Sequence, residues 1–90
     1  MIFPDTVIRM LESALPRRVW YRDYYLRSKH WRNFKQRAKK HYGDKCVRCY
    51  RHSDNGVIID VHHLTYERLW GERVEDVRLL CRACHKKEHI

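Results

Sequence analysis

Residues 79–89 read LLCRACHKKEH, and this stretch decides the fold that we expect. A Cys-x-x-Cys pair, Cys81 and Cys84, is followed directly by His85, and His89 comes four residues later. Residues four apart share one face of a helix, so the stretch predicts a short helix that presents two histidines together. A chain of 90 residues forms one small domain, and the core of such a domain gives only marginal stability without a bound metal ion or another cross-link.

A second Cys-x-x-Cys pair lies upstream, at Cys46 and Cys49. The two Cys-x-x-Cys pairs contain all four cysteines of the chain, and 31 residues separate them. In a reducing compartment such pairs are typical of zinc sites rather than disulfides, and zinc takes four ligands in a tetrahedron. We therefore predict a structural zinc ion with no coordination position left for catalysis. A redox Cys-x-x-Cys is the alternative, but it would not explain two copies.

The charge of the chain is concentrated in one segment. The formal net charge is +9, and residues 29–52 carry nine Lys or Arg side chains against a single acid, Asp44. Residues 53–90 carry six basic and seven acidic side chains. A concentrated basic patch attracts polyanions, of which nucleic acid is the commonest, although a solvated charged helix is the simpler reading. No signal peptide or membrane-spanning stretch is evident, so we expect a cytoplasmic protein with no membrane partner.

The N-terminal part of the chain predicts helices. Residues 4–15 have a helical apolar stripe, with Asp5 or Thr6 as the cap and Pro16 as the stop. Residues 17–27 are an aromatic and basic arm or a short helix. Residues 28–42 predict the clearest helix, because it starts at Ser28, ends before Gly43 and gathers aromatic side chains on one face.

The remainder predicts a small sheet and a loop. Residues 57–62 are β-branched and predict a strand, and residues 47–52 are the partner that we expect for it. His62 and His63 stand at the end of that strand, before a loop over 64–76. Together with His85 and His89 they supply four imidazoles. Three can hold one divalent ion with positions left for phosphate and water, and the fourth can act as a general base.

The stretches VHHLTYERL at 61–69 and LLCRACH at 79–85 resemble the HNH endonuclease family. The resemblance covers about half of the chain, or two thirds if residues 28–42 are included. It implies an α+β fold, a small ββα-metal (treble-clef-like) domain over residues 28–90 that is stapled by zinc. Residues 1–27 would precede this domain as an N-terminal helix and arm. The short chain is similar to compact phage versions of the family.

The resemblance also implies roles for single residues. His63 matches the general base, His62 and His85 match metal ligands, and His89 resembles an additional ligand of the colicin-type nucleases. Asp76 stands where the family has the Asn that fixes the loop carrying the base. An Asp accepts the same hydrogen bond but cannot donate an amide proton.

These roles predict hydrolysis of DNA phosphodiester bonds, as a nick or a double-strand break. The catalytic divalent metal is Mg²⁺, Mn²⁺, Ni²⁺ or Zn²⁺, and imidazole ligands favour the last three. Side chains expected to hold the DNA backbone without reading sequence are Arg32, Lys35, Lys39 and Lys40. Arg68 or Arg82 would clamp the scissile phosphate.

Two other classes of protein remain open from the sequence. A non-catalytic zinc-dependent module that binds nucleic acid explains the charge and the cysteines, but leaves the histidine pairs as coincidence. A protein-interaction module would bind without the steep salt dependence of phosphate contacts. For the nuclease we expect a monomer or weak homodimer, since one active site cuts one strand. Other phage or host DNA-processing proteins are further expected partners.

Overall fold

The computed structural model describes residues 3–88 and shows a small α+β protein, which confirms the predicted class. The described residues form four helices and one two-stranded sheet: α1 Asp5–Leu11, α2 Arg17–Asp23, α3 Lys29–Tyr42, β1 Ile59–His63, β2 Val77–Cys81 and α4 Arg82–Glu88. The chain divides into two compact units, residues 1–34 and 35–90, so the first turns of α3 belong to the N-terminal unit. From the sequence we placed this boundary at 27/28.

The N-terminal unit is built around aromatic side chains. Trp20 from α2 and Tyr25 from the turn after it are fully buried, and their rings lie 5.3 Å apart between centroids. The indole N–H of Trp20 donates to the carbonyl oxygen of Ile8 at 2.8 Å, which joins α2 to the buried residue of α1. Residues 17–27 thus form a short helix and a 3-10 turn, one of the two predicted forms.

Helix α1 is shorter than predicted and is not capped by Asp5. It ends at Leu11, where the chain makes a tight turn in which the Ala14 N–H donates to the Leu11 carbonyl at 3.1 Å. Asp5 is the first residue of the helix, and its carboxylate accepts the backbone N–H groups of Lys29 and His30 at 2.9 Å. It therefore caps α3 instead of α1.

Helix α3 follows the prediction closely. The hydroxyl of Ser28 accepts the backbone N–H of Trp31 at 3.0 Å, and Gly43 leaves the helix with φ +88°, a conformation that glycine adopts without strain. The predicted apolar stripe is buried at Trp31, Phe34 and Ala38.

The strand pairing differs from the prediction. β1 pairs antiparallel with β2, with Ile59 opposite Cys81 and His63 opposite Val77. Residues 47–52 were the expected partner, but they contribute no strand. The chain turns back within the first Cys-x-x-Cys pair, where Tyr50 N–H donates to the Cys46 carbonyl at 2.9 Å. A turn of this kind leaves little extended backbone to pair: Lys45 and His52 form an isolated bridge, and the Val47 N–H donates to the Leu79 carbonyl of β2 at 2.9 Å.

The helix predicted over 79–89 begins three residues late. Residues 79–81 are the end of β2, where all three side chains are buried and the backbone pairs with β1. Tertiary burial decides such short apolar runs, since their sequence fits a strand or a helix equally well. α4 then starts at Arg82, directly after Cys81. His89 lies outside the described residues.

Candidate metal centres and the histidine pair

The four cysteines come together as predicted. Their sulfur atoms all lie within 4.8 Å of one another, although they come from distant parts of the chain. Cys46 and Cys49 lie in the turn before β1, Cys81 is the last residue of β2, and Cys84 lies on α4. The Sγ atom of Cys46 accepts the backbone N–H groups of Arg48 and Cys49 at 3.4 Å. The cluster is positioned to hold a metal ion.

The thiols of this cluster differ in acidity. Burial would raise the pKa of Cys46, but backbone N–H groups of Cys49, Cys81 and Arg48 outweigh it and lower that pKa to about 6. A hydrogen bond with the Cys81 thiol, together with burial, raises the pKa of Cys84 to about 12. Four thiolates this close repel one another unless a cation compensates them. Four soft donors with no fifth group suit a closed, tetrahedral, structural site.

A second cluster forms where β1 meets α4. Nε2 of His85 lies 3.1 Å from Nδ1 of His62, and the two rings meet edge to face. Nδ1 of His85 lies 3.1 Å from Oδ2 of Asp60. Asp60 and His62 are two residues apart on β1, so they point to the same side of the sheet. α4 follows β2 without a loop, and this places His85 over that side.

Asp60 carries the negative charge of this cluster. Burial alone would raise the pKa of its carboxyl group, but hydrogen bonds from Arg82 and His85 outweigh it and hold that pKa below its usual range. Arg82 donates to Asp60 Oδ1 at 2.9 Å. An ionised carboxylate accepts hydrogen bonds only, so Nδ1 of His85 is the donor in this contact, and Nε2 faces His62. A carboxylate that orients a histidine in this way is common behind metal-ligating imidazoles.

Asp60 was not among the residues predicted from the sequence, although a signal was present. Alternation along the predicted strand places residue 60 on the face of residue 62, and a carboxylate beside a candidate metal-binding histidine is a natural partner. The pairing with His85 required the position of α4, which the sequence did not predict correctly.

His63 is not part of this cluster. It lies on the opposite side of β1, and its Nε2 is 2.9 Å from Oε2 of Glu72. Both side chains are 1% exposed, which makes this a buried polar pair. The ring of Tyr66 lies 5.6 Å from the imidazole between centroids. Strand alternation separated His62 from His63, and no sequence pattern indicated Glu72 as the partner.

Asp76 joins the two ends of the loop over 64–76. Its carboxylate accepts hydrogen bonds from Nε–H and Nη2–H of Arg68, the first at 2.8 Å. It also accepts the backbone N–H of Arg73 at 2.9 Å. The Arg68 guanidinium and the Arg73 N–H lower the pKa of Asp76 to about 2. The carbonyl oxygen of Asp76 accepts the backbone N–H of Leu64 at 2.7 Å. The loop is therefore closed directly beside His63.

The predicted DNA-contacting side chains differ in pairing and exposure. Arg68 and Arg82, the two candidate phosphate clamps, are engaged in ion pairs with Asp76 and Asp60. On α3, Arg32 and Lys40 are exposed, whereas Lys35 and Lys39 are half-buried.

Among the described residues no helix is both long enough and apolar enough to cross a bilayer.

Comparison with family models, with curated proteins and with solved structures finds no match to this chain. The class that fold and site define is therefore a small α+β protein whose four clustered cysteines are positioned to hold a metal ion.

Proposed function

We propose that this protein is a metal-dependent endonuclease of the HNH type, with a ββα-metal fold over β1, β2 and α4 and zinc bound by the four cysteines. The observation that carries the proposal is the pairing of His62 and His85 across the strand and the helix, with Nδ1 of one 3.1 Å from Nε2 of the other. Asp60 supports it by accepting a hydrogen bond from Nδ1 of His85, which directs Nε2 of that ring at His62.

The separation of the two ring nitrogens suits a shared ion. Bonds of about 2.1 Å from each nitrogen, as zinc makes to histidine, would meet at an angle of about 95° across the 3.1 Å gap. That angle fits six-coordinate and distorted four-coordinate ions and leaves positions open. We propose His89, which lies outside the described residues, as the third ligand, because it follows His85 by four residues in the sequence. Mn²⁺, Ni²⁺ and Zn²⁺ suit imidazole ligands better than Mg²⁺.

In this proposal each residue has a distinct task. A divalent ion bound at the pair would supply positive charge to the scissile phosphate and its leaving oxygen. His62 and His85 hold that ion, and Asp60 holds the proton on Nδ1 of His85. His63, as the resemblance implies, takes a proton from the attacking water. Because Glu72 occupies Nε2 of His63 in the interior, this role requires the loop over 64–76 to open to solvent when DNA binds.

The basic segment supports DNA as the substrate. Residues 29–52 hold most of the excess positive charge, and exposed Arg32 and Lys40 can approach phosphates. Arg68 and Arg82 are weaker candidates for a phosphate clamp, since each neutralises a carboxylate of the protein. The cytosol remains the compartment that we infer, because four close thiols persist there as metal ligands rather than disulfides.

The test is nicking of supercoiled plasmid by zinc-loaded protein with added Mg²⁺, Mn²⁺, Ni²⁺ or Zn²⁺. We expect His62→Ala and His85→Ala to abolish metal-dependent nicking, and His41→Ala, which removes an exposed histidine of α3, to leave it unchanged. His63→Ala should abolish nicking while DNA binding in a gel shift persists. If the His62, His63 and His85 variants all still nick the plasmid, the proposed site is refuted.

One observation favours a second function. The burial of His63 against Glu72 removes the expected base from solvent, as in a protein that binds nucleic acid without cutting it. For such a zinc-dependent binding module, wild-type protein would shift DNA in a gel and cleave it with none of the four metals.

A further inference from the structure

The turn that carries the first two cysteines ends in a strained aromatic residue. Tyr50 follows Cys49 directly and has φ +66°, while its backbone N–H donates to the Cys46 carbonyl at 2.9 Å. This left-handed conformation closes the turn. Glycine adopts it freely, whereas a bulky side chain pays a steric cost for it. Folding alone would therefore favour glycine at position 50.

The side chain of Tyr50 has little packing that would offset this strain. It is 73% exposed, and within residues 3–88 its ring makes no ring contact and its hydroxyl no hydrogen bond. The other two non-glycine residues with positive φ differ in this respect. Asp44 accepts the Ser53 hydroxyl at 2.8 Å, and Trp70 is only partly exposed.

The surroundings of Tyr50 are cationic. Lys45, Arg48 and Arg51 are all exposed, and no acidic residue occurs between positions 45 and 51. Arg48 pairs with Glu88 at 3.1 Å, while Lys45 and Arg51 form no ion pair within the described part of the chain. An exposed ring between cations is the arrangement with which proteins hold single strands, since bases stack on the ring and cations follow the backbone.

We propose that Tyr50 is a stacking platform for an unpaired nucleobase of single-stranded DNA, with Lys45 and Arg51 on the flanking phosphates. The choice of DNA rests on the proposed nuclease function; the choice of an unpaired base rests on the ring. A paired base within a duplex does not expose its face, so the surface selects DNA that is single-stranded, gapped or frayed.

The platform is fixed relative to the histidine pair. The Sγ atoms of Cys49 and Cys81 lie 3.7 Å apart, and the Arg48–Glu88 ion pair joins the same turn to the end of α4. α4 also carries His85. A base stacked on Tyr50 would therefore hold the strand in a constant position relative to His62 and His85.

The test compares Tyr50→Gly and Tyr50→Phe in a zinc-loaded His85→Ala background, so that cleavage does not interfere. Fluorescence anisotropy measures binding of a labelled oligothymidylate and of the duplex that it forms with oligoadenylate. We expect Tyr50→Gly to weaken single-strand binding by about tenfold or more, with a much smaller effect on the duplex, and Tyr50→Phe to retain it. Lys45→Gln/Arg51→Gln should weaken both.

Thermal unfolding provides the second readout. Glycine relieves the strain at φ +66° but also gives the unfolded chain more conformational freedom, so Tyr50→Gly should leave the melting temperature unchanged or slightly higher while it weakens binding. A lower melting temperature would mean that the ring stabilises the fold, and unchanged oligothymidylate binding would refute the platform. Plasmid nicking is measured separately, in protein that retains His85. Nicking by wild-type protein with no effect of Tyr50→Gly on binding would sink this inference and leave the nuclease standing.

Discussion

A single carboxylate controls the chemistry available at the histidine pair. Asp60 lies behind His85 and accepts a hydrogen bond from its Nδ1, which leaves Nε2 as the nitrogen directed at His62. Arg82 holds the other carboxylate oxygen at 2.9 Å and thereby keeps Asp60 ionised and oriented. Asp60 touches neither phosphate nor water in the proposed reaction, so we regard it as a positioning residue.

We predict that Asp60→Asn weakens metal binding at the histidine pair by about 10- to 100-fold, because the amide no longer holds the proton on Nδ1 of His85 with a charged acceptor. Calorimetric titration with Mn²⁺ or Ni²⁺, after the cysteines have been loaded with zinc, measures this affinity. Arg82→Gln is the matched control, since it leaves the carboxylate in place and should have a smaller effect. Equal affinities of Asp60→Asn and wild type would show that Asp60 does not act through His85.

At the scale of elements, the loop over 64–76 is closed by Asp76. Its pKa of about 2 means that the folded state favours the ionised carboxyl group. The carboxyl group is ordinarily half-protonated near pH 3.8, so its contribution to stability is complete above that pH and is lost as the pH falls through about 2.

We predict that Asp76→Asn lowers the melting temperature by several degrees at pH 7 and pH 5. The difference from wild type should begin to shrink only below about pH 4, when the wild-type carboxyl group takes up its proton. Metal release at low pH affects both proteins, so the informative quantity is the difference between them. Glu75→Gln, at an exposed neighbouring position, should have little effect at any pH. A difference that already disappears near pH 6 would contradict the role of the Asp76 carboxylate.

The β2–α4 junction depends on the cysteines, as the loop over 64–76 depends on Asp76. Cys81 ends the strand and Cys84 lies in the first turn of the helix, so one ion would tie both elements to the turn at Cys46 and Cys49. Structural zinc in small peptides contributes on the order of 10 kcal/mol or more, which exceeds what a core of this size supplies.

We predict that the purified protein binds one zinc ion at the cysteines and that a strong chelator, or Cys81→Ser, abolishes the cooperative unfolding transition of residues 35–90. Near-UV circular dichroism and elemental analysis measure the two effects. Restoring zinc should restore the wild-type spectrum but not that of Cys81→Ser. A metal-free protein that unfolds cooperatively at the same temperature would exclude a structural ion.

At the scale of the whole molecule, the charge distribution determines how the affinity of the protein for DNA depends on salt. The excess of positive charge within residues 29–52 is far larger than in the rest of the chain. Binding through phosphate contacts releases counterions, so the affinity must fall steeply with salt, and each contact to duplex DNA contributes about 0.9 to the logarithmic slope.

We predict that Lys39→Gln/Lys40→Gln reduces this slope by about 2 for duplex DNA, measured by anisotropy between roughly 50 and 200 mM salt. Arg17→Gln/Arg18→Gln removes the same charge from α2 in the N-terminal unit and should change the slope less. A slope near zero for wild-type protein would favour the protein-interaction module over any nucleic-acid binder.

The sequence by itself determined the local structure and the donors. The Ser28 cap, the aromatic stripe and Gly43 specify α3 through contacts a few residues apart, and the spacing of the four cysteines leaves one reasonable way to gather them. Such features follow from short-range geometry and from ligand chemistry, so they can be read without the rest of the fold.

Only the tertiary structure decided which residues and elements contact one another. The run at 79–81 became a strand because its side chains are buried and β1 pairs with it, and Asp5 capped a helix 24 residues away from itself. The same packing placed Asp60 behind His85 and buried His63 against Glu72. These contacts join residues that are far apart in sequence, and the free energy that selects them comes from burial in a single packed arrangement. No local pattern contains that information.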